Sequence, residues 1–385
     1  MIKNFVRNNA LYTIFVLSQL ILFILALQKD DIIGDNYDIS LALTLHFFVI
    51  VLFTVGYSFN KRIILSSKKI INKVSSFVSL KKGFFLVAVL LTIIGLITSI
   101  LTIGSIISPQ EYLSQLVAKD DSIAGVRQEA GDGGLGGVFK MLNYCPLGIY
   151  LITSSFLNFY KFDKITTKKL NRLNTFSLIC SVIKVLFSLD RLTIMAILIV
   201  QIYTNLISKK ISIKFLLIIG GIVILGGFIT ASRMSDSGFF DFLIVYFKLS
   251  LVNYQLVLND QNDYAYGFQT FLSPLGFIAK FFGVGISSTE PKNWVWNPAQ
   301  YFNSYLYMDF GFFSFLFYPF FGYFIRCVEI LKKNGNRFYT GFYFILLFCI
   351  TTFISVPFIR GMEFWLLIVV CLLLSKFVQL RNSGV

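Results

Sequence analysis

Charge is what this chain has least of. Charged residues make up 14% of its 385 positions and hydrophobic ones 56%, against about 25% charged in a soluble globular protein. With a mean hydropathy of +0.75, most of the chain is expected to sit in lipid, which excludes an ordinary soluble domain. Histidine is nearly absent: His46, in the second apolar run, is the only one, and no zinc-ligand spacing occurs. The five cysteines, Cys145, Cys180, Cys327, Cys349 and Cys371, all lie in or beside apolar segments, so no disulfide framework is indicated. Asp-x-Asp is missing too, and with it the usual way of holding a metal against a nucleotide-sugar pyrophosphate. There is no internal repeat. No small-residue cleavage site follows the first apolar run, so an uncleaved first helix is expected.

What is there is apolar runs separated by short basic clusters. Ten spans are expected, at about 9–27, 39–58, 83–107, 138–158, 174–190, 192–208, 212–230, 300–324, 338–356 and 362–380, each near the roughly 17–25 residues that cross a bilayer. The net charge of +15 could point to nucleic acid. Its distribution instead follows the positive-inside rule, and no nucleic-acid partner is expected. Most of the 34 basic residues, among them Lys81, Lys82, Lys161, Lys164, Lys168, Arg172, Arg326 and Lys376, fall in loops of one side, with only Asp163 and Glu329 of the acids. Both termini are therefore expected in the cytoplasm.

The expected fold is an all-α integral membrane protein of about ten helices. An amino-terminal bundle of about seven helices covers 1–230, a large external loop 231–299, and a carboxyl-terminal bundle of about three helices 300–385. A loop that long is usually functional or disordered. Its apolar stretches 239–258 and 271–286, with Lys248 and Lys280 inside them, read as interfacial or re-entrant helices, or as one more hairpin that brings the spans to twelve.

Candidate chemistry gathers on the acidic side. Arg127, Arg191, Arg233 and Arg360 lie at or near that face. Guanidinium groups hold phosphate oxygens in a rigid fork, so several together would bind a pyrophosphate, although each alone could be a snorkelling interfacial residue. Asp309 lies inside an apolar helix, where it could serve as a general base or as the partner of a buried cation such as Lys184. Glu129 and Asp190 are further candidate acids. Trp294, Trp296, Tyr301 and Tyr305 precede or open the helix that carries Asp309 and could stack sugar rings; aromatic residues also mark membrane boundaries without further function. Residues 131–136, GDGGLG, fit the dinucleotide fingerprint formally, but lack the strand–helix setting that the fingerprint needs.

Three motifs in this order carry a family likeness. Ser188-Leu189-Asp190-Arg191 opens a helix, Ala231-Ser232-Arg233 stands at the mouth of the long loop, and Tyr307-Met308-Asp309-Phe310-Gly311 follows it. Across most of its length the chain resembles the Wzy-type O-antigen and capsule repeat-unit polymerases of bacteria. Where members often have a second glycine after Asp-Phe-Gly, this chain has Phe312-Phe313-Ser314. The related ligases typically carry a histidine in the large loop, and 231–299 has none. The resemblance implies a GT-C-like glycosyltransferase without cofactor or metal, acting on undecaprenyl-pyrophosphate-linked oligosaccharide donor and acceptor at the outer face of the cytoplasmic membrane. Flippase and chain-length regulator proteins are the implied partners. Arg191 and Arg233 would grip the donor pyrophosphate, with Arg127 and Arg360 as secondary cations. Asp309, Glu129 and Asp190 compete for the role of base. A lipid-linked oligosaccharide flippase is the alternative reading.

Overall fold

The computed structural model describes residues 9–28, 38–59, 78–108, 110–111, 114, 141–188, 191–208, 220–221, 239–260, 264–282, 300–354 and 357–380. Among them the longer helices are α1 (Ala10–Ala26), α2 (Ser40–Ser58), α3 (Gly83–Gly104), α4 (Cys145–Phe159), α5 (Lys164–Ser188) and α6 (Arg191–Ser208), followed by α7 (Phe239–Asp260), α8 (Leu272–Phe281), α9 (Phe302–Phe310), α10 (Phe317–Lys333), α11 (Arg337–Thr352) and α12 (Met362–Ser375). The described strands are β1 (Val78–Leu80) and β2 (Val378–Leu380), which pair antiparallel.

Among the described residues, three helices are long and apolar enough to cross a membrane: α2, α3 and the composite helix Phe302–Lys333. Ala10–Ala26, Cys145–Phe159, Leu192–Asn205, Arg337–Thr352 and Met362–Ser375 are apolar but shorter, and each of these helices falls on an expected span. The expected fifth span lies, up to Ser188, in α5, which starts ten residues earlier than 174. The reason is local. Asp163 accepts the N–H groups of Ile165 and Thr166 at 3.1 and 3.0 Å, as a helix cap does, and no proline or glycine interrupts 164–188. Except for Gly220 and Gly221, the expected seventh span lies outside the described residues.

The faces of α3 are reversed relative to a soluble protein. Ala88, Thr92, Gly95, Ser99 and Thr102 are buried, while Leu86, Leu90, Ile94, Ile97 and Leu101 are exposed. Phe312, Phe313, Leu316 and Phe320 extend the same pattern to the composite helix. Water would penalise every one of those side chains, whereas lipid tails do not, and small residues let membrane helices approach closely.

By contacts the described chain divides into two units. The first comprises α1, α2, α7–α10 and residues 349–354 and 357–365; the second comprises α3–α6, residues 334–348 and 366–380, and both strands.

In the first unit, α1 and α2 are tied at both ends by side chains from distant helices. Glu329 on α10 accepts the N–H of Leu11 at 3.0 Å and the hydroxyl of Tyr57, and the Arg326 guanidinium donates to Asn9 and Tyr57 at 3.2 and 3.1 Å. At the other end, Lys248 on α7 donates to the Gln28 carbonyl at 3.2 Å, and Gln255 accepts the N–H of Ala42 at 2.9 Å. Helix ends leave such groups open, and here tertiary partners close them. Helices α2 and α10 touch backbone to backbone: a side chain at Gly56 would strike the Pro319 carbonyl, and one at Gly322 that of Phe53. Helix α7, part of the expected external loop, packs against α1, α2 and α9, with Leu249, Leu251, Val252, Tyr254 and Val257 buried.

In the second unit, the Asn174 amide bonds the Tyr150 carbonyl and the hydroxyls of Thr153 and Ser154, at 3.1, 2.9 and 2.7 Å, fixing α5 against α4. One end of this unit gathers loops from far apart in the chain. Val78 donates to the Lys161 carbonyl and Lys81 to that of Phe377, each at 2.9 Å, and Ser375 donates to the Arg337 carbonyl at 3.3 Å. Basic loops that the charge pattern assigns to one side therefore meet at one end.

Candidate functional site

The predicted span 300–324 is not one regular helix. α9 stops after Phe310, a 3₁₀ segment covers Gly311–Leu316, and α10 then runs on to Lys333. Gly311 has φ 54° and ψ −136°, a conformation essentially restricted to glycine, and a Cβ there would meet the Tyr264 ring at 2.7 Å.

Stopping a helix inside an apolar environment leaves carbonyls that need donors. Residues 264–271 supply them. Ala265 donates to the Met308 carbonyl at 3.0 Å and Tyr266 to that of Asp309 at 3.1 Å. Tyr266 and Gly267 then turn the chain with φ of 49° and 99°. This turn aims the N–H groups of Gln269 and Thr270 at the Asp309 carboxylate, at 2.9 and 2.7 Å. Asp309 is fully buried and acts as a cap, borrowed from another helix, for the segment that leads into α8.

Arg360 reaches the same place from the 3₁₀ turn Phe358–Arg360. Its Nε donates to the Gln269 carbonyl at 2.7 Å, and its guanidinium carbon lies 3.4 Å from the centre of the Tyr305 ring, a cation–π contact. Three residues singled out from the sequence, Asp309, Arg360 and Tyr305, thus belong to one cluster, and Gln269 is the residue that joins them. In the same unit, and among the described residues, the buried atoms Thr270 Oγ1, Gln300 Oε1, Asn303 Oδ1 and Ser304 Oγ have no hydrogen-bond partner. The other end of the Asn303 amide donates to the Tyr254 hydroxyl.

Tyr301 and Tyr305 are buried rather than presented on an open rim. Tyr301 packs edge-on to His46 at 5.1 Å and to Tyr254 at 5.7 Å, and the Tyr305 ring faces Arg360. His46 holds its Nε2 2.9 Å from the Gln19 carbonyl. In the second unit, Arg191 is the first residue of α6. Lys184 is buried, with Nζ 3.1 Å from Thr193 Oγ1 and 3.3 Å from the centre of the Tyr144 ring. Arg127, Glu129, Asp190, Arg233, Trp294 and Trp296 lie outside the described residues.

Gln269, Thr270 and Glu329 escaped the sequence reading as site or packing residues. For the first two, the only available signal is Tyr266-Gly267, a turn just ahead of an apolar stretch. For Glu329, it is an acid in an apolar helix, three residues after Arg326. Compared with protein families, curated proteins and solved structures, the chain matches none.

Proposed function

We propose that the chain is a Wzy-type repeat-unit polymerase. In this reading it is a GT-C-like glycosyltransferase of ten to twelve spans in the bacterial cytoplasmic membrane, with both termini inside. It joins undecaprenyl-pyrophosphate-linked oligosaccharides at the outer face. A sugar hydroxyl of the incoming repeat attacks the anomeric carbon of the growing chain, the C–O bond to the lipid pyrophosphate breaks, and the configuration inverts. The leaving group needs fixed positive charge, which Arg191 and Arg233 are assigned to supply, with Arg127 and Arg360 as further cations. The attacking hydroxyl gives up its proton to a positioned base, and Asp309, Glu129 and Asp190 are the candidates.

The observation that carries this reading is the joining of Asp309 and Arg360 through Gln269 at a helix break. Such a break inside an apolar span is tolerated only where protein encloses it or it lines a polar cavity. The buried hydroxyls of Thr270 and Ser304 and the amides of Gln300 and Asn303 in the same unit are of the neutral kind that hydrogen-bonds sugars. The same break also suits a transporter of the same lipid-linked sugar, because discontinuous helices are common in transporters.

Gel analysis of the surface polysaccharide in a deletion strain separates the two. A ladder that collapses to one repeat, restored by wild type and not by Arg191→Ala or Arg360→Ala, supports the polymerase. Normal ladders from both inserted variants would overturn the assignment of the arginines. Single-repeat lipid accumulating on the inner side of the membrane would instead make the protein a transporter.

A further inference from the structure

Helix α5 has two faces of different kinds. Leu170, Leu173, Ser177 and Cys180 are buried, in the packing of α5 against α3 and α4. The opposite face bears Lys164, Lys168 and Arg172, all exposed, at intervals of four residues that put them in one row. The row continues as Phe176 and Ile179, 37% and 52% exposed. With Thr167, Asn171 and Thr175 these residues form one open face of α5, over a rise of about 22 Å from Lys164 to Ile179 at 1.5 Å per residue.

Cations at one end and apolar side chains further along the same row match a single kind of molecule. A phospholipid has an anionic phosphate at one end and hydrocarbon behind it. The one acid at the start of α5, Asp163, caps the helix, and its single negative charge leaves the three cations of the row in excess. Lys81, Lys82, Lys161 and Lys376 belong to the loops gathered at that end of the unit, which adds to the attraction for anionic headgroups. We infer that the Lys164–Lys168–Arg172 row is a binding site for an anionic phospholipid, with its phosphate among the three cations and an acyl chain along Phe176 and Ile179. This site does not depend on the polymerase reading.

The test uses delipidated full-length protein in neutral detergent, titrated with phosphatidylglycerol or phosphatidylcholine, with retained lipid counted by native mass spectrometry. Wild type should retain phosphatidylglycerol in preference to phosphatidylcholine. The variant K164Q/K168Q/R172Q should lose that preference by about fivefold or more, while K81Q/K82Q, which removes charge elsewhere at the same end, should lose distinctly less. Should the triple variant fail to fold, Lys168→Gln alone, on the exposed face, should reduce the preference in part, and Phe176→Ser should weaken retention of long-chain but not short-chain lipid. Equal retention by the triple variant and wild type, or equal losses in both multiple variants, would overturn the site. So would displacement of the lipid by millimolar inorganic phosphate, which would make the row a simple anion site.

Discussion

Asp309 and Arg360, 51 positions apart, hold the same residue from opposite sides: the carboxylate accepts the N–H of Gln269 at 2.9 Å, and the guanidinium donates to its carbonyl at 2.7 Å. Together they clamp the 264–271 turn onto the broken end of α9. That arrangement makes the acid a cap for the turn.

Replacing Asp309 should therefore loosen the turn before it alters anything else. Asp309→Asn keeps one acceptor oxygen and loses the second, and Asp309→Ala loses both. Each buried N–H left without a partner costs about 1–3 kcal/mol. Hydrogen exchange at the amides of Gln269 and Thr270 should accelerate in the order wild type, Asn, Ala. Unchanged exchange in the Ala variant would show that the clamp does not hold the turn.

Glu329→Leu should destabilise the first unit, because it leaves the Leu11 N–H without its acceptor and the Tyr57 hydroxyl with Asn9 alone as acceptor. The expected loss is about 1–3 kcal/mol for the buried N–H, with Glu329→Gln intermediate. Thermal unfolding in detergent reads both variants.

Gly322→Leu and Gly56→Leu should each damage the first unit. At Gly322 the added side chain would enter the Phe53 backbone, and at Gly56 it would enter that of Pro319. Overpacking costs about 1–3 kcal/mol and more where backbone blocks relaxation. Gly104→Leu, where a side chain would meet nothing within 4 Å, is the control and should be tolerated. The amount of monodisperse protein recovered in detergent compares all three.

The start of α5 should depend on pH. Hydrogen bonds from the side chain and backbone of Thr166 hold the Asp163 carboxyl below its usual range. A depressed carboxylate stabilises the fold above its unfolded pKa, and that contribution fades as pH falls through the folded value. Exchange at residues 165–168 should therefore quicken on acidification in wild type. Asp163→Asn, which can still cap, should show no such acid dependence, and Asp163→Ala should exchange quickly at every pH.

Much of the architecture was legible in the residues, and the limits of that reading are specific. The apolar runs that became α1, α2, α3, α4, α11 and α12 could be read because a run of that length has no other stable solvent. The extension of α5 back to Lys164 was not expected, since a polar, basic stretch reads as a loop until its cap is recognised. The two apolar stretches of the long loop could be found but not located, because a helix that packs against α1, α2 and α9 and one that lies on a bilayer need similar composition.

By itself, the sequence determined that lipid surrounds this chain, that its positive charge gathers at particular loops, and that a carboxylate lies next to Gly311. Those are properties of composition and spacing, which water and lipid act on directly. Only the tertiary structure decided what that carboxylate holds, that Arg360 reaches Gln269, that Glu329 closes the start of α1, and that Tyr301 and Tyr305 are buried. The physical reason is that open N–H groups at helix ends and turns, once taken from water, must find an acceptor in three dimensions. The acceptors here come from residues 39 to 318 positions away, a distance at which no local pattern identifies a partner.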